Sequence, residues 1–172
     1  MRSSRRPIPV PPKPGQESVW DYPRPPRVEA RSERIVVRLG DTVIVDTTDA
    51  VRVLETSHPP VYYLPISAFA PGTLVPTHGS SWCEFKGEAN YFDVRSGPGP
   101  DAVVADRAGW TYPRPTRGFE ILEGRIAIYP SRMHSCEVDG ERVVPQEGDF
   151  YGGWATANIV GPFKGGPGTS GW

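Results

Sequence analysis

Glu55, His58, Tyr62 and Tyr63 bring a carboxylate, an imidazole and two phenols into one short stretch of the chain. An imidazole, with its ordinary pKa of about 6.5, can gain or lose a proton at neutral pH, and a neighbouring carboxylate can orient it. We therefore predict that Glu55 and His58 form an acid–base pair in a pocket floored by Tyr62 or Tyr63. The alternative is a structural corner, in which His58 bonds a loop carbonyl and both tyrosines pack in the core.

Two short strands and a proline corner must position these groups. Residues 51–54 are apolar and mostly β-branched, which favours a strand that places Val51, Val53 and Glu55 on one face. His58 is followed by two prolines, which keep it out of the helical region and stiffen the corner. Residues 61–64 predict the next strand.

The composition indicates a mainly β protein of one domain. The chain has 172 residues, and its 21 prolines and 19 glycines separate many short apolar runs. Such punctuation is typical of short antiparallel strands and tight turns with very little helix. The turns Gly40-Asp41 and Asp139-Gly140 predict two hairpins. Short helical turns are predicted at residues 66–69 and 119–122, and residues 18–27 are expected to be extended because they are rich in proline.

Charge and hydropathy exclude several classes of partner. The net charge is −1, with acids and bases mixed along the chain, so nucleic acid is not an expected partner. The sequence has no run of about 20 apolar residues, so no membrane span is predicted. No apolar segment follows the basic N-terminus, so no signal peptide is predicted. We therefore expect a cytoplasmic protein.

The chain divides into a leader and one β domain. Residues 1–16 are rich in proline and predict a disordered or polyproline II leader, whereas residues 17–172 form the domain. Within the domain, residues 20–27 and 110–117 are identical at six of eight positions. A weaker match of Arg34-Ile-Val-Val to Arg125-Ile-Ala-Ile follows. These matches predict pseudo-repeated halves, which we place at about residues 18–100 and 108–172.

Metal and nucleotide motifs are not recognised in the sequence. The potential metal ligands, namely His58, His78, Cys83, Glu84, His134 and Cys136, show no established ligand spacing, so we predict no metal and no cofactor. Cys83 and Cys136 are expected to be reduced thiols, although a disulfide between them stays open. Gly79-Ser80 precedes Asp93 as in a nucleotide-transfer site, but the second carboxylate that would hold magnesium is missing.

Four motifs in one order resemble the bacterial domain-of-unknown-function 427 family, which is catalogued as nucleotidyltransferase-like. They are residues 55–63, residues 83–91, the Trp-x-Tyr-Pro element at Trp110 and residues 150–154, and the likeness runs from about Ser18 to Trp172. The resemblance implies a compact antiparallel β domain of the β-tent or barrel-like kind. Tent folds of other families often carry zinc on Cys-x-x-Cys pairs, which are absent here, and the resemblance supplies no catalytic residues.

Two functions are compatible with these observations. The first is a pocket between the halves that binds a small polar or anionic molecule. The protein would be an enzyme if His58 and Glu55 act as acid and base. The second is a non-catalytic module that binds a partner protein or a second copy of itself as a homodimer. The predicted lining of the pocket is Glu55, His58, Tyr63, Lys86, Tyr91, Arg125 and Trp154. Lys86 flanks a turn, where a solvated hairpin corner is the alternative role.

Overall fold

Short antiparallel strands account for most of the regular structure in the computed structural model, which describes residues 6–148 and 150–172. The strands are β1 Glu17–Ser18, β2 Arg27–Arg31, β3 Ile35–Leu39, β4 Thr42–Thr47, β5 Ala50–Leu54, β6 Val61–Pro65, β7 Leu74–Cys83, β8 Gly87–Arg95, β9 Val104–Thr111, β10 Arg125–Ile128, β11 Ser135–Val138, β12 Glu141–Arg142, β13 Val144–Pro145, β14 Trp154–Ala155 and β15 Ile159–Val160. Single 3₁₀ turns occur at Val19–Asp21, Ile66–Ala68, Glu120–Leu122 and Pro130–Arg132. The mainly β, antiparallel prediction is confirmed.

Two sheets build the domain. Seven strands pair in the order β2-β5-β6-β10-β9-β8-β7, and four pair in the order β12-β11-β3-β4. Every pairing within these two sheets is antiparallel. Two short ladders complete the fold: β1 pairs with β15 in parallel, and β13 pairs with β14. The β1–β15 ladder ties the start of the domain to its C-terminal segment.

The centre of the seven-stranded sheet is buried on both faces. In β6, Tyr62 and Leu64 point into a core shared with β3 and β4 of the smaller sheet. Tyr63 points to the opposite face, where it packs with Val51 and Val53 of β5. This alternation follows from the period of two along a strand. Because of this alternation, the large sheet has a second apolar face, on which a cavity can form.

The predicted hairpins and the strands flanking the proline corner are confirmed. β3 and β4 join through Gly40, whose φ is +57°, and β11 and β12 join through Asp139 and Gly140, at φ +48° and +81°. Positive φ at both central residues matches the twist of a two-residue hairpin, and Asn, Asp and Gly tolerate it best. Strands β5 and β6 correspond to residues 51–54 and 61–64.

Residues 18–27 are not wholly extended, contrary to the prediction. Val19–Asp21 forms a 3₁₀ turn, which the Ser18 hydroxyl caps by accepting a hydrogen bond from the Trp20 amide at 3.2 Å. The prolines that oppose a helix begin only at Pro23, so nothing prevents this turn. Trp110, its counterpart in the repeated motif, lies in strand β9 instead, so the two similar sequences have different local structures.

The predicted leader, residues 1–16, lies partly outside the described residues. Its described part, residues 6–16, forms neither helix nor strand. It contacts the domain through Val10, whose amide donates a hydrogen bond to the Gly161 carbonyl at 2.8 Å. In the part of the chain that the structure describes, no helix has the length and apolar character needed to cross a membrane.

Candidate functional site

A cavity of about 460 Å³ opens on the face of the large sheet that carries Tyr63. Strands β5, β6, β8 and β9 form its floor, and the segment between β13 and β14 covers one side together with Lys164. Aromatic side chains form a large part of its wall, namely Tyr63, Trp82, Tyr91, Trp110, Tyr112, Tyr129, Phe150 and Tyr151. Its polar groups come from Glu55, His58, Ser81, Cys83, Lys86, Gln146 and Lys164.

Five of the seven predicted site residues line this cavity, namely Glu55, His58, Tyr63, Lys86 and Tyr91. Arg125 and Trp154 lie elsewhere. The Arg125 guanidinium pairs with Asp49 at 2.7 Å at the other end of the sheet. Trp154 is fully buried in the core between the two sheets, where its ring lies 4.9 Å from that of Tyr62.

Glu55 and His58 are held together by the turn that follows β5. The His58 amide donates to the Glu55 carbonyl at 3.1 Å, and Ser57 between them adopts a φ of +75°. The turn brings His58 Nε2 to 3.4 Å from Glu55 Oε2, and Arg24 Nε lies 3.3 Å from the same oxygen. Burial raises the pKa of Glu55, but the hydrogen bond from His58 and the charges of His58, Lys86 and Arg24 outweigh it, so the pKa lies below its usual range.

This lowered pKa makes the stability of the fold sensitive to acid. Since the folded-state pKa of Glu55 lies below the unfolded value of about 4.3, its contribution is present above that value and is lost as pH falls through the folded-state pKa. Glu55→Gln is expected to flatten the dependence of melting temperature on pH in this acid range, measured by differential scanning calorimetry. Glu123→Gln changes an exposed carboxylate and is the matched control; an equal flattening in both variants would contradict the assignment.

Gln146 completes the environment of His58, although no local sequence pattern marks it. Its side chain is only 4% exposed, and its Nε2 lies 2.9 Å from His58 Nδ1. The same nitrogen donates to the Lys164 carbonyl at 2.8 Å, and Oε1 accepts from the Gly153 amide at 3.2 Å. One amide therefore joins the proline corner to two segments that are distant in sequence.

Two lysines place positive charge at the cavity. Lys86 Nζ lies 5.8 Å from the centre of the Tyr112 ring, and Lys164 Nζ lies 5.9 Å from that of Tyr151. Lys164 also donates to the Trp172 carbonyl at 3.3 Å. Glu55 is the one carboxylate among the described lining residues, so the two ammonium groups leave the cavity with an excess of positive charge.

The hydroxyls of Tyr63 and Tyr112 in the wall stay protonated. Burial, reinforced by nearby charges and phenols, raises the pKa of Tyr63 and of Tyr112 well above the ordinary value. Trp110 Nε1 donates to the Tyr63 hydroxyl at 3.3 Å, and the Tyr91 hydroxyl bonds Ser81 Oγ at 2.5 Å. The Tyr63 and Tyr112 hydroxyls can therefore offer neutral hydrogen bonds without adding negative charge.

The cysteines are both free thiols, and they occupy different surroundings. Cys83 is half-buried and lines the cavity, whereas Cys136 is in the core between the sheets, where burial raises the pKa of its thiol. Among residues 6–148 and 150–172, no group of three or more His, Cys, Asp or Glu side chains is arranged to hold a metal ion.

Gly152 and Gly153 allow the backbone to approach the site closely. A Cβ at Gly152 would overlap the Trp110 ring. A Cβ at Gly153 would lie 2.5 Å from Gln146 Oε1 and 3.0 Å from the Pro59 carbonyl oxygen. These two glycines thus allow the backbone to pack against Trp110 and beside the proline corner.

Gly153→Ala is expected to lower the free energy of unfolding by about 1–3 kcal/mol, because the added methyl group would be too close to both Gln146 and Pro59. Urea denaturation followed by tryptophan fluorescence measures the loss. Gly97→Ala is the control, since a Cβ there meets nothing within 4 Å. Equal stabilities of the two variants would show that the contact is not tight.

Comparison with known proteins assigns the chain to a family. A family model described as a domain of unknown function (DUF427) matches residues 27–139, which is most of the chain. The chain belongs to this family. The DUF427 match contains Glu55, His58 and Lys86, whereas Gln146 and Lys164 lie beyond its end. No curated protein matches the chain.

Proposed function

We propose that the cavity binds a small organic anion that carries a flat ring. The observation that supports this proposal is the combination of two lysines with an aromatic wall around one concave site. A volume of about 460 Å³ falls in the range of small-molecule pockets, about 300–1,000 Å³.

Charge favours an anionic ligand. The cavity carries two ammonium groups, on Lys86 and Lys164, and one carboxylate, on Glu55, which already forms an ion pair with Arg24. A hydrogen bond from an ammonium group to a bound anion contributes about 1.5–3 kcal/mol when it is shielded from water. The protonated hydroxyls of Tyr63 and Tyr112 add no repulsion.

Shape favours a flat ring. The rings of Tyr63 and Trp110 meet edge to face at 6.5 Å, and those of Trp110 and Tyr129 lie 4.5 Å apart. Such a wall offers both ring faces and ring edges to an aromatic ligand. Glu55 and His58 border the same space, so a hydrogen-bonding group on the ligand can meet a carboxylate beside the aromatic wall.

A thermal-shift series with matched probes tests the proposal. The probes are 2-naphthoate, which is flat and anionic, 2-naphthamide, which is flat and neutral, and inorganic phosphate, which is anionic without a ring. We expect a concentration-dependent rise in melting temperature with 2-naphthoate and a much smaller rise with the other two. An equal response to 2-naphthamide, or no response to 2-naphthoate, would overturn the proposal.

The second candidate function is an interaction module, and the rim of the cavity favours it. Trp82 and Phe150 stand at this rim with 72% and 82% of their surface exposed. Exposed aromatic side chains beside a concave site are typical of protein contacts. If self-association is the function, sedimentation will show a concentration-dependent dimer that the variant Trp82→Ser/Phe150→Ser abolishes. A monomer at all concentrations would exclude a homodimer.

A further inference from the structure

We infer that Gln146 is a positioning residue that holds His58 as the neutral Nε2–H tautomer, so that Glu55 is the member of the pair that accepts a hydrogen bond from a ligand. The assignment of the tautomer can be tested without any ligand. The role of Glu55 rests on the proposed function, and it narrows the ligand to an anion that also carries a hydroxyl or N–H donor.

The orientation of the Gln146 amide is fixed by two backbone groups. Oε1 accepts from the Gly153 amide at 3.2 Å, and Nε2 donates to the Lys164 carbonyl at 2.8 Å. A flipped amide would set donor against donor at Gly153 and acceptor against acceptor at Lys164. Since the side chain is 4% exposed, water cannot readily repair either mismatch.

The fixed amide decides the protonation of His58. The second hydrogen of Gln146 Nε2 points to His58 Nδ1 at 2.9 Å, so Nδ1 must be the acceptor. The proton of a neutral imidazole then sits on Nε2, which lies 3.4 Å from Glu55 Oε2. Neither nitrogen retains a free lone pair, so His58 acts here as a donor that orients Glu55 and not as a base.

Glu55 keeps one oxygen free for a ligand. Its contacts with Arg24 and His58 both use Oε2. Among the described residues, none donates a hydrogen bond to Oε1, although Glu55 lines the cavity. A ligand whose anionic group meets Lys86 or Lys164 can therefore place a hydroxyl or N–H on Oε1, and such a charge-assisted bond favours it over the analogue without the donor.

The first experiment reads the tautomer of His58 in the full chain by long-range ¹⁵N–¹H NMR, with exposed His78 and His134 as internal references. We expect wild type to show the Nε2–H pattern. In Gln146→Glu, a carboxylate replaces the donor, and we expect His58 to carry protons on both nitrogens. The negative charges that face the imidazole are then the introduced carboxylate and Glu55, and the positive charges are Arg24, Lys86 and Lys164.

Gln16→Glu makes the same chemical change away from the cavity and should leave the His58 pattern unaltered. An Nδ1–H pattern in wild type would overturn the inference, and so would an unchanged pattern in folded Gln146→Glu. The wild-type spectrum decides by itself if that variant does not fold.

The second experiment compares the affinities of 6-hydroxy-2-naphthoate and 2-naphthoate. In wild type, we expect the hydroxyl to strengthen binding about tenfold or more. In Glu55→Gln, His58 and Arg24 hold the amide oxygen and an NH₂ group replaces Oε1, so the hydroxyl can only accept a neutral hydrogen bond and most of the advantage is lost. An advantage retained in Glu55→Gln would overturn the role of Glu55. If neither compound binds, the proposed function fails, while the result on the tautomer stands separately.

Discussion

Removing both cavity lysines, in Lys86→Ala/Lys164→Ala, is expected to weaken the binding of 2-naphthoate about 100-fold or more. Each ammonium group can contribute about 1.5–3 kcal/mol to an anion shielded from water, and each 1.4 kcal/mol is a factor of about ten in affinity. The effect on 2-naphthamide should be small, because a neutral ligand gains little from either charge. Titration of the quenching of tryptophan fluorescence measures both affinities.

Lys13→Ala is the matched control, because Lys13 is exposed and lies outside the cavity. It removes one positive charge from the protein without touching the site. Binding that falls equally in Lys13→Ala would indicate a general effect of net charge. Unchanged binding in the double variant would mean that the lysines do not meet the anion.

Replacing Arg52 with Ala is expected to lower the free energy of unfolding by about 2–3 kcal/mol, which is less than the cost for a fully buried ion pair because the Glu17 and Glu29 side chains are 34% and 28% exposed. Arg52 is 4% exposed and contacts two carboxylates. Its Nη1 lies 2.5 Å from Glu17 Oε1, and its Nη2 lies 2.9 Å from Glu29 Oε1. Loss of the guanidinium breaks the link between Glu17 and Glu29 and loosens Glu17, which begins β1, whereas Glu29 keeps its ion pair with Arg31. Urea denaturation measures the change.

Arg34→Ala provides the comparison for this prediction. Arg34 also pairs with a carboxylate through two nitrogens, but its side chain and that of Asp46 are 63% and 46% exposed. Solvent screens such a pair, so its loss should change stability little. Similar losses in the two variants would contradict the importance of burial. If Arg52→Ala lowers the free energy of unfolding but leaves the amides of the β1–β15 ladder as well protected from hydrogen exchange as in wild type, the role given to Glu17 is contradicted.

Local patterns were sufficient to predict half of the candidate site. Glu55 and His58 belong to one turn, and Tyr63 follows on the next strand, so alternation and the proline corner indicate their common location. Lys86 was singled out because it flanks the turn before β8. These residues are close in sequence to their structural neighbours, and turn and strand geometry therefore limits where they can lie.

The other half depends on long-range packing that no local pattern records. Gln146 and Lys164 reach the cavity because the segment after β13 folds over the proline corner, and a single glutamine carries no motif. The one sequence feature that indicates close packing of this segment is the pair Gly152 and Gly153. These glycines approach Trp110 and Pro59 closely and hold the segment in place. Trp154 was also predicted to line the pocket, but it lies in the core between the two sheets.

The fold was predicted better than the site because its signals are local. Asp139-Gly140 requires positive φ at both positions and specifies a hairpin by itself. The 3₁₀ turn at Val19–Asp21 was missed because its cap is a single serine, Ser18, beside a strong proline signal. Which strands pair across the large sheet, such as β6 with β10, depends on contacts between distant segments and was not predicted.

A crystal structure of the protein with 6-hydroxy-2-naphthoate tests the proposed binding most directly. We expect the ring against Trp110, the carboxylate at Lys86 or Lys164, and the hydroxyl at Glu55 Oε1. A ligand bound only outside the cavity, for example in the cleft between Trp20 and Trp172, would contradict the proposal. So would a carboxylate turned away from both lysines.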